Sequence, residues 1–189
     1  MLFKFLGGHP ALDFINTVGG RTHTSANRYT VDRERLETPG DLDAFWSAAA
    51  AAAAFESGGC SRRSSRGDLE RAIELREALY RIFFAVIAGR RPETKDVALL
   101  NGALPAQKLT FNGAAASFSA DDPLGAVARS AAELLTSPEI ARVRACGGES
   151  CGWLFLDTSR NRSRQWCDMA DCGNVAKVRR FRDRRRESG

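Results

Sequence analysis

The chain has 189 residues, of which 43% are hydrophobic and 27% charged. This balance is typical of an ordinary globular protein and excludes a wholly disordered chain, a coiled-coil rod and a collagen-like fibre. The formal net charge of +5 is unevenly distributed: residues 142–189 contain twelve Lys and Arg against six Asp and Glu, whereas the first 141 residues contain 16 against 17. Length and charge together predict a helix-rich domain at 1–141 and a small basic module at 142–189.

No uninterrupted apolar segment approaches the roughly 18 residues that a membrane-spanning helix needs. The first residues also lack the apolar core and cleavage site of a signal peptide. We therefore expect a cytoplasmic protein without a membrane partner. In that compartment thiols stay reduced, so a cysteine cluster more often binds metal than forms disulfides.

Four helices are predicted in the first part of the chain. The helix around residue 41 has Asp41 available as its cap, with Pro39 just outside it, and the helix that follows it begins at Asp68 and ends at Gly89. The stretch between Arg21 and Glu37 is polar and without periodicity. The predicted helices cover residues 11–18, 41–56, 68–88 and 94–104.

The spacing of the apolar residues changes after residue 107 from a helical to an alternating pattern. Residues 108–119 predict a β-hairpin with a type I′ turn at Asn112-Gly113. A helix is predicted from Asp122 to Leu135 and is interrupted at Ser137-Pro138. Residues 125–144 loosely resemble a helix-turn-helix, although two core helices joined by a turn produce the same pattern far more often. The predicted fold is mainly α (α+β): a multihelical body with a small β-hairpin, then a small zinc-finger module ending in a basic helix.

Four of the five cysteines follow the spacing Cys-x4-Cys-x15-Cys-x4-Cys; they are Cys146, Cys151, Cys167 and Cys172. Two short-range pairs separated by a longer segment are typical of a structural zinc site, because each pair closes a small loop and the middle segment lets the pairs meet. Four thiolates leave no coordination position open. The spacing therefore predicts one structural Zn²⁺ and no catalytic metal.

Other interpretations of the cysteines remain open. They could be unpaired core thiols, a redox dithiol or the ligands of an iron–sulfur cluster, although neither pair has the Cys-x-x-Cys spacing of a redox motif. Trp153, Phe155 and Trp166 are expected to form the small core of the module. Cys60 lies in a Ser/Arg/Gly loop without a partner and is interpreted as a free thiol without function.

The module resembles a known family in several motifs. Residues 151–161 (CGWLFLDTSRN), 164–169 (RQWCDM) and 172–174 (CGN), followed by a basic helix, resemble the CGNR-type zinc finger. Residues 7–17 (GGHPALDFINT) resemble the start of the ABATE domain, the usual N-terminal partner of that finger. Val175 stands where the family motif has Arg. The two resemblances cover essentially the whole chain.

The resemblance implies a bacterial, stress-related transcription regulator. Carried over by position, the four clustered cysteines would bind the zinc, and the finger would bind DNA. Residues 174–187 suit a helix in which Val175, Val178 and Phe181 would pack against the zinc knuckles while the other faces are basic. The cations predicted to contact duplex DNA are Arg160, Arg162, Arg164, Lys177, Arg179, Arg180 and Arg184.

Three alternatives to DNA binding stay in view. The basic helix could be a solvated tail, the module could bind RNA, or it could be a protein-interaction adaptor in which zinc is purely structural and the arginines meet an acidic partner. RNA is less favoured because exposed stacking aromatics are not evident in the sequence. Duplex DNA is the predicted partner.

No catalytic site is predicted in the N-terminal part. The chain has two histidines, and no Ser or Cys motif or phosphate-binding glycine loop stands out. We therefore expect no enzyme activity. His9, Asp13 and Asn16 could line a pocket for a small-molecule effector, although capping or core hydrogen bonding is the commoner role of such residues. The body is expected to sense an effector or to form a homodimer.

Overall fold

The structure, a computed structural model, describes residues 3–25, 28–52, 63–104, 108–119 and 122–187. Cys60 and the predicted helix end at Glu56 lie outside these ranges. The described elements are, in chain order, α1 (Pro10–Ile15), β1 (Val18–Ser25), β2 (Arg28–Glu34), α2 (Pro39–Ala51), α3 (Arg66–Ile87), α4 (Thr94–Ala103), β3 (Lys108–Asn112), β4 (Ala115–Ser119), α5 (Pro123–Thr136), a 3₁₀ turn (Pro138–Arg142), β5 (Val143–Ala145), β6 (Leu154–Leu156), a π-helical turn (Met169–Gly173) and α6 (Asn174–Glu187). The predicted mainly α fold is confirmed.

Helices α2 and α3 both begin with a capping box. The Thr38 hydroxyl accepts a hydrogen bond from the Asp41 amide, and the Asp41 carboxylate accepts one from the Thr38 amide; Ser65 and Asp68 repeat this pattern. Each aspartate is thus the third residue of its helix. The two helices therefore begin two residues before the positions that the sequence predicts.

The main core lies between α1 and the faces of α2, α3 and α5. Helix α1 has almost no exposed side-chain surface, because Leu12, Phe14 and Ile15 are fully buried. The long periodic face of α3 packs on it as the sequence predicts, with Leu79 and Phe83 buried at its centre. None of the described helices is long and apolar enough to cross a membrane.

The β1–β2 hairpin occupies the polar stretch between Arg21 and Glu37, for which the sequence predicts no helix or strand. The strands are antiparallel, with Arg21 opposite Val31. The prediction of a helix to residue 18 was therefore wrong, since α1 ends at Ile15 and Val18 opens β1. The inward position of the hairpin is taken by Arg21, whose side chain is buried and paired with Glu77. A buried arginine breaks the apolar alternation by which strands are recognised, and it is accommodated there by Glu77 and by the Tyr80 ring, 4.0 Å from its guanidinium.

The β3–β4 hairpin is confirmed, but its turn lies one residue later than predicted. Asn112 pairs with Ala115, so Gly113 and Ala114 are the central residues. Among the two, only Gly113 has a positive φ, 62°. A type I′ turn requires positive φ at both central residues, whereas a type II′ turn requires it at the first alone. The backbone therefore follows the type II′ pattern.

The chain changes from helix to strand after Ser137. A single 3₁₀ turn follows α5 and leads directly into β5, so the helix-turn-helix interpretation of residues 125–144 is wrong. Strand β5 pairs with β6 in antiparallel register, Val143 opposite Leu156. Val143, Leu154 and Leu156 lie in the main core together with α1 and α3. The strands that carry the first cysteine pair are thus anchored in the body.

Candidate metal centre and nucleic-acid interface

The four cysteine sulfurs converge at the end of the β5–β6 pair. All four Sγ atoms lie within 4.8 Å of one another. The Cys151 and Cys167 sulfurs are 3.6 Å apart, and those of Cys167 and Cys172 are 3.7 Å apart. A tetrahedral zinc with Zn–S bonds of about 2.3 Å separates its sulfurs by about 3.8 Å. The donor set therefore fits one structural Zn²⁺, with no coordination position left for substrate.

Backbone hydrogen bonds hold the two knuckles (146–151 and 167–172) together. The Cys146 amide donates to the Trp153 carbonyl at 2.8 Å, which extends the β5–β6 ladder to the first ligand. The Gly147 amide donates to the Gln165 carbonyl at 2.9 Å and joins the first knuckle to the segment before the second. The Cys167 amide points at the Cys146 sulfur at 3.3 Å. An amide directed at sulfur favours the thiolate form that binds metal.

The four thiols influence one another's ionisation. Hydrogen bonds from Cys151 and Cys167 lower the pKa of Cys146. The hydrogen bond with Cys146 raises the pKa of Cys151, and the bonds with Cys146 and Cys151 raise the pKa of Cys167. Cysteines bind metal as thiolates, so we expect zinc binding at this site to release protons.

The expected small core of the module is present. Phe155 is fully buried, and Trp153 is buried with its indole Nε1 donating to the Val18 carbonyl at 2.6 Å. Trp166 is half-buried and packs on the same cluster. The module therefore combines the zinc site with a few aromatic contacts, one of which reaches back to β1.

Arg164 lies inside the module, away from the exposed arginines. Its guanidinium sits 4.4 Å over the Phe155 ring and donates to the carbonyls of Trp166, at 2.9 Å, and of Leu6, at 3.3 Å. It also donates to the carbonyl of the zinc ligand Cys167. These contacts brace the second knuckle against the N-terminal segment. Sequence alone could not distinguish this arginine from Arg160 and Arg162, which are exposed and lie four and two residues earlier.

The three candidate pocket residues lie on or beside α1, where the body meets the C-terminal segment. The Asp13 carboxylate accepts a hydrogen bond from the Gly7 amide at 2.8 Å, and burial raises the pKa of Asp13 to about 6. The Asn16 side chain is paired with the backbone of Leu154. His9 is half-buried, and burial lowers its pKa. The structure brings these residues together along one helix, with Asp13 and Asn16 engaged by backbone groups.

Helix α6 forms where expected, but its apolar residues do not pack on the knuckles. Val175 is 71% exposed, Val178 49% and Phe181 54%. Val175 lies at the edge of the groove beside the zinc ligands, and the other α6 side chains that line this groove are on the side of the helix away from Val178 and Phe181: Ala176, Arg179, Arg180 and Asp183. The prediction was wrong because the π-helical turn before α6 sets its rotational phase, and periodicity carries no information about that phase.

The cations of α6 differ in their surroundings. Arg179 forms ion pairs with Glu149 and, at 3.9 Å, with Asp183. Lys177, Arg180 and Arg184 are exposed. The groove between α6 and the β1–β2 hairpin, about 750 Å³ in volume, also receives Lys4, Arg33 and Arg35 from the body. Sequence analysis missed these three because only the fold brings them near the metal centre.

Comparison with protein families adds an independent finding. Residues 8–138 match the ABATE family, described as "Putative stress-induced transcription regulator", and residues 142–185 match the CGNR zinc finger. A search of curated proteins finds no match to this chain. Both resemblances seen in the sequence are thus confirmed.

Proposed function

Because the chain belongs to the ABATE family and ends in a CGNR zinc finger, we propose that it is a bacterial, cytoplasmic transcription regulator that binds duplex DNA through residues 142–189. In this proposal residues 1–141 form the sensing or dimerising body. Zinc has a structural role, and neither part catalyses a reaction.

The observation that carries the proposal is the state of the basic residues on α6. Lys177, Arg180 and Arg184 are exposed along a helix whose first turn follows the zinc ligand Cys172. Cations on a rigid support attract phosphates without the entropic cost of ordering a flexible tail. Arg160 and Arg162 add two exposed cations from the loop before the second knuckle.

Two members of the predicted contact set play narrower roles. Arg164 braces the knuckle through three carbonyls, so its contribution to DNA binding is to position the loop that carries Arg160 and Arg162. Arg179 is partly neutralised by Glu149 and can reach a phosphate only if that ion pair opens. The proposed direct phosphate contacts are therefore Arg160, Arg162, Lys177, Arg180 and Arg184.

The sensing role of the body is supported by a cavity away from the zinc. It has a volume of about 120 Å³ and lies between the β1–β2 hairpin, α3 and the loop that follows α3. His23, Tyr29, Tyr80 and Phe84 supply ring faces, and Arg91 lies at its rim. The carboxylates of Glu93 and Asp96 also line the cavity, so its charges are mixed. This cavity joins His9, Asp13 and Asn16 as a candidate effector site.

Salt-dependent DNA binding tests the proposal. The zinc-loaded full chain is titrated against a fluorescent duplex of random sequence at about 50 and about 200 mM salt. Five phosphate contacts predict a loss of affinity of roughly 500-fold between the two conditions, since each contact releases a condensed counterion. RNA and an acidic polypeptide serve as competitors. Absence of duplex binding at low salt, or stronger competition by either polymer, contradicts the proposal.

Charge-reversal variants locate the interface. Arg180→Glu with Arg184→Glu should abolish binding at the lower salt concentration. The matched control is Arg66→Glu with Lys95→Glu, which changes the net charge by the same amount at two exposed positions of the body. If both double variants weaken binding equally, net charge alone is responsible and α6 is not the interface.

A further inference from the structure

Helix α6 has two chemically different faces. On a helix with 100° between successive residues, Ala176, Arg179, Arg180 and Asp183 share the side that lines the groove beside the zinc ligands, and Val175 lies at its edge. Val178, Phe181 and Arg185 lie on the opposite side and line a shallow surface depression together with Lys177, Arg182 and Arg186. We call this second side the outer face. It points away from the rest of the module.

Charges are segregated between the two faces. Among the described side chains of α6, Asp183 is the one carboxylate, and it lies on the inner side next to Arg179. Among these described side chains, the outer face therefore presents cations around an apolar centre and no carboxylate. Such a surface favours a polyanion and disfavours another basic helix.

The apolar centre of the outer face needs an explanation of its own. Val178 and Phe181 are about half exposed, one turn apart, and the Arg185 guanidinium lies 5.7 Å over the Phe181 ring. Phosphate contacts alone would require only cations, whereas burying the two apolar side chains against a partner would be favourable. The occupant that complements this face carries small apolar groups between rows of negative charge.

The major groove of DNA has this arrangement. It is about 12 Å wide, its walls are phosphates, and each thymine places a methyl group at its floor. A helix of 14 residues is about 21 Å long and about 10–12 Å across, so it fits the groove. A second copy of α6 would bring its seven cations against seven others. A lipid surface requires a wider apolar stripe than two side chains.

We propose that α6 enters the major groove of duplex DNA with its outer face toward the bases. Val178 and Phe181 contact thymine methyl groups, and Lys177 beside them contacts a phosphate. Arg182 and Arg185 flank the apolar pair and strengthen the attraction to the groove. This inference rests on the proposed DNA binding and deepens it: the protein prefers particular sequences, and the preference comes from apolar contacts. Arg180, which lines the inner groove, contributes affinity and no sequence readout.

Replacing thymine by uracil isolates the methyl contact, because uracil keeps the hydrogen-bonding pattern of thymine and lacks only the C5 methyl group. A duplex is first selected from a pool with a random centre by the zinc-loaded full chain. It is then prepared with dT or with dU at every thymine position. We expect dU to weaken binding by about five- to tenfold.

Two phenylalanine variants provide a matched pair. Phe181→Ala should reduce the difference between the dT and dU duplexes to what Val178 alone contributes, while leaving the salt dependence unchanged. Phe111→Ala makes the same change at a phenylalanine of β3 that is 67% exposed, and should keep the full difference. Circular dichroism of both variants verifies that α6 and the rest of the chain remain folded.

The remaining outcomes distinguish failure of this inference from failure of the proposed DNA binding. Equal affinity for dT and dU duplexes with salt-dependent binding, or a selection that enriches no sequence, overturns the inference and leaves DNA binding in place. Absence of binding to any duplex defeats the proposed function itself. Binding to vesicles of anionic lipid that is lost in Phe181→Ala, without a dT preference, overturns the inference in favour of a membrane surface.

Discussion

The side chain of Asn16 pairs with the backbone of Leu154 as a neighbouring strand would. Its Nδ2 donates to the Leu154 carbonyl at 2.8 Å, and its Oδ1 accepts from the Leu154 amide at 3.0 Å. Both residues are buried, and 138 positions separate them in the chain. One amide side chain therefore satisfies both polar groups of a buried residue in β6 and ties the body to the strand that leads out of the zinc site.

Asn16→Ala should lower the free energy of unfolding by about 2–4 kcal/mol, because it leaves the Leu154 amide and carbonyl buried without partners. Urea titration followed by tryptophan fluorescence measures the change. Asn101→Ala, the same substitution at an exposed position of α4, should stay within about 0.5 kcal/mol of the parent. Equal stabilities of the two variants would contradict the pairing.

Gly152 marks a close approach between the first knuckle and β1. Its φ is +65°, and a Cβ atom there would lie 2.3 Å from the Arg21 Cβ and 2.8 Å from the Arg21 carbonyl oxygen. The Arg21 amide also donates to the Cys151 carbonyl at 3.3 Å. Only glycine allows the knuckle to reach the strand.

Gly152→Ala should therefore destabilise the protein more than its backbone conformation alone explains. Gly89→Ala is the control, since Gly89 has the same φ of +65° with nothing within 4 Å of the added Cβ. The control should cost about 1–2 kcal/mol for the left-handed conformation. The loss of unfolding free energy in Gly152→Ala, measured by urea titration, should exceed that of the control by at least about 2 kcal/mol. A smaller excess would show that β1 moves away from the added methyl group at little cost.

Asp13 should make stability fall as the pH rises through the weakly acidic range. Burial raises the pKa of Asp13 from 3.8 to about 6, so the folded chain binds this proton more tightly than the unfolded chain. The contribution of this bound proton to the free energy of unfolding, up to about 3 kcal/mol, is fully present below about pH 4. It is lost as the pH rises through about 6. Asn at this position keeps an acceptor for Gly7 and cannot ionise.

The comparison of parent and Asp13→Asn isolates this effect, because acid effects on the zinc thiolates are common to both. Urea unfolding is measured at several values between about pH 4 and pH 7. The stability of Asp13→Asn should rise relative to that of the parent across this range. A constant difference would mean that Asp13 titrates normally in the folded protein.

Zinc removal should weaken the body as well as the module. Leu154 and Leu156 lie in the main core and directly follow the first knuckle, so loss of the metal frees the strand that carries them. We expect a chelator, or Cys172→Ser, to lower the melting temperature of the helical circular dichroism signal by about 10 °C or more. The parent and Cys60→Ser should each contain one zinc per chain. An unchanged melting temperature without metal would show that body and module unfold independently.

Local patterns in the sequence predict a large part of this molecule. The spacing of Cys146, Cys151, Cys167 and Cys172 identifies the metal ligands, because a tetrahedral site needs short pairs that the chain itself holds close. The periodic face of α3 and the stop at Gly89 identify the longest helix. Each of these features depends on residues within a few turns of one another.

Other features depend on partners that the sequence does not place. Arg21 reads as a polar loop residue, yet it is the buried side chain of β1 because Glu77, on a distant helix, neutralises it. Arg164 reads as a DNA contact, yet carbonyls from both ends of the chain surround it. From its chemistry alone, a charged residue is expected at the surface, because burying a charge is costly. It lies in the interior only where neighbouring groups in the fold pair with it.

The sequence by itself determined which residues hold the zinc, where the helices lie and which family the chain belongs to. Tertiary structure alone decided that Asn16 and Leu154 join body and module, and which side of α6 faces the solvent. The physical reason is that spacing and periodicity act within one element, whereas the phase of a helix and the burial of a charge are settled by contacts between elements.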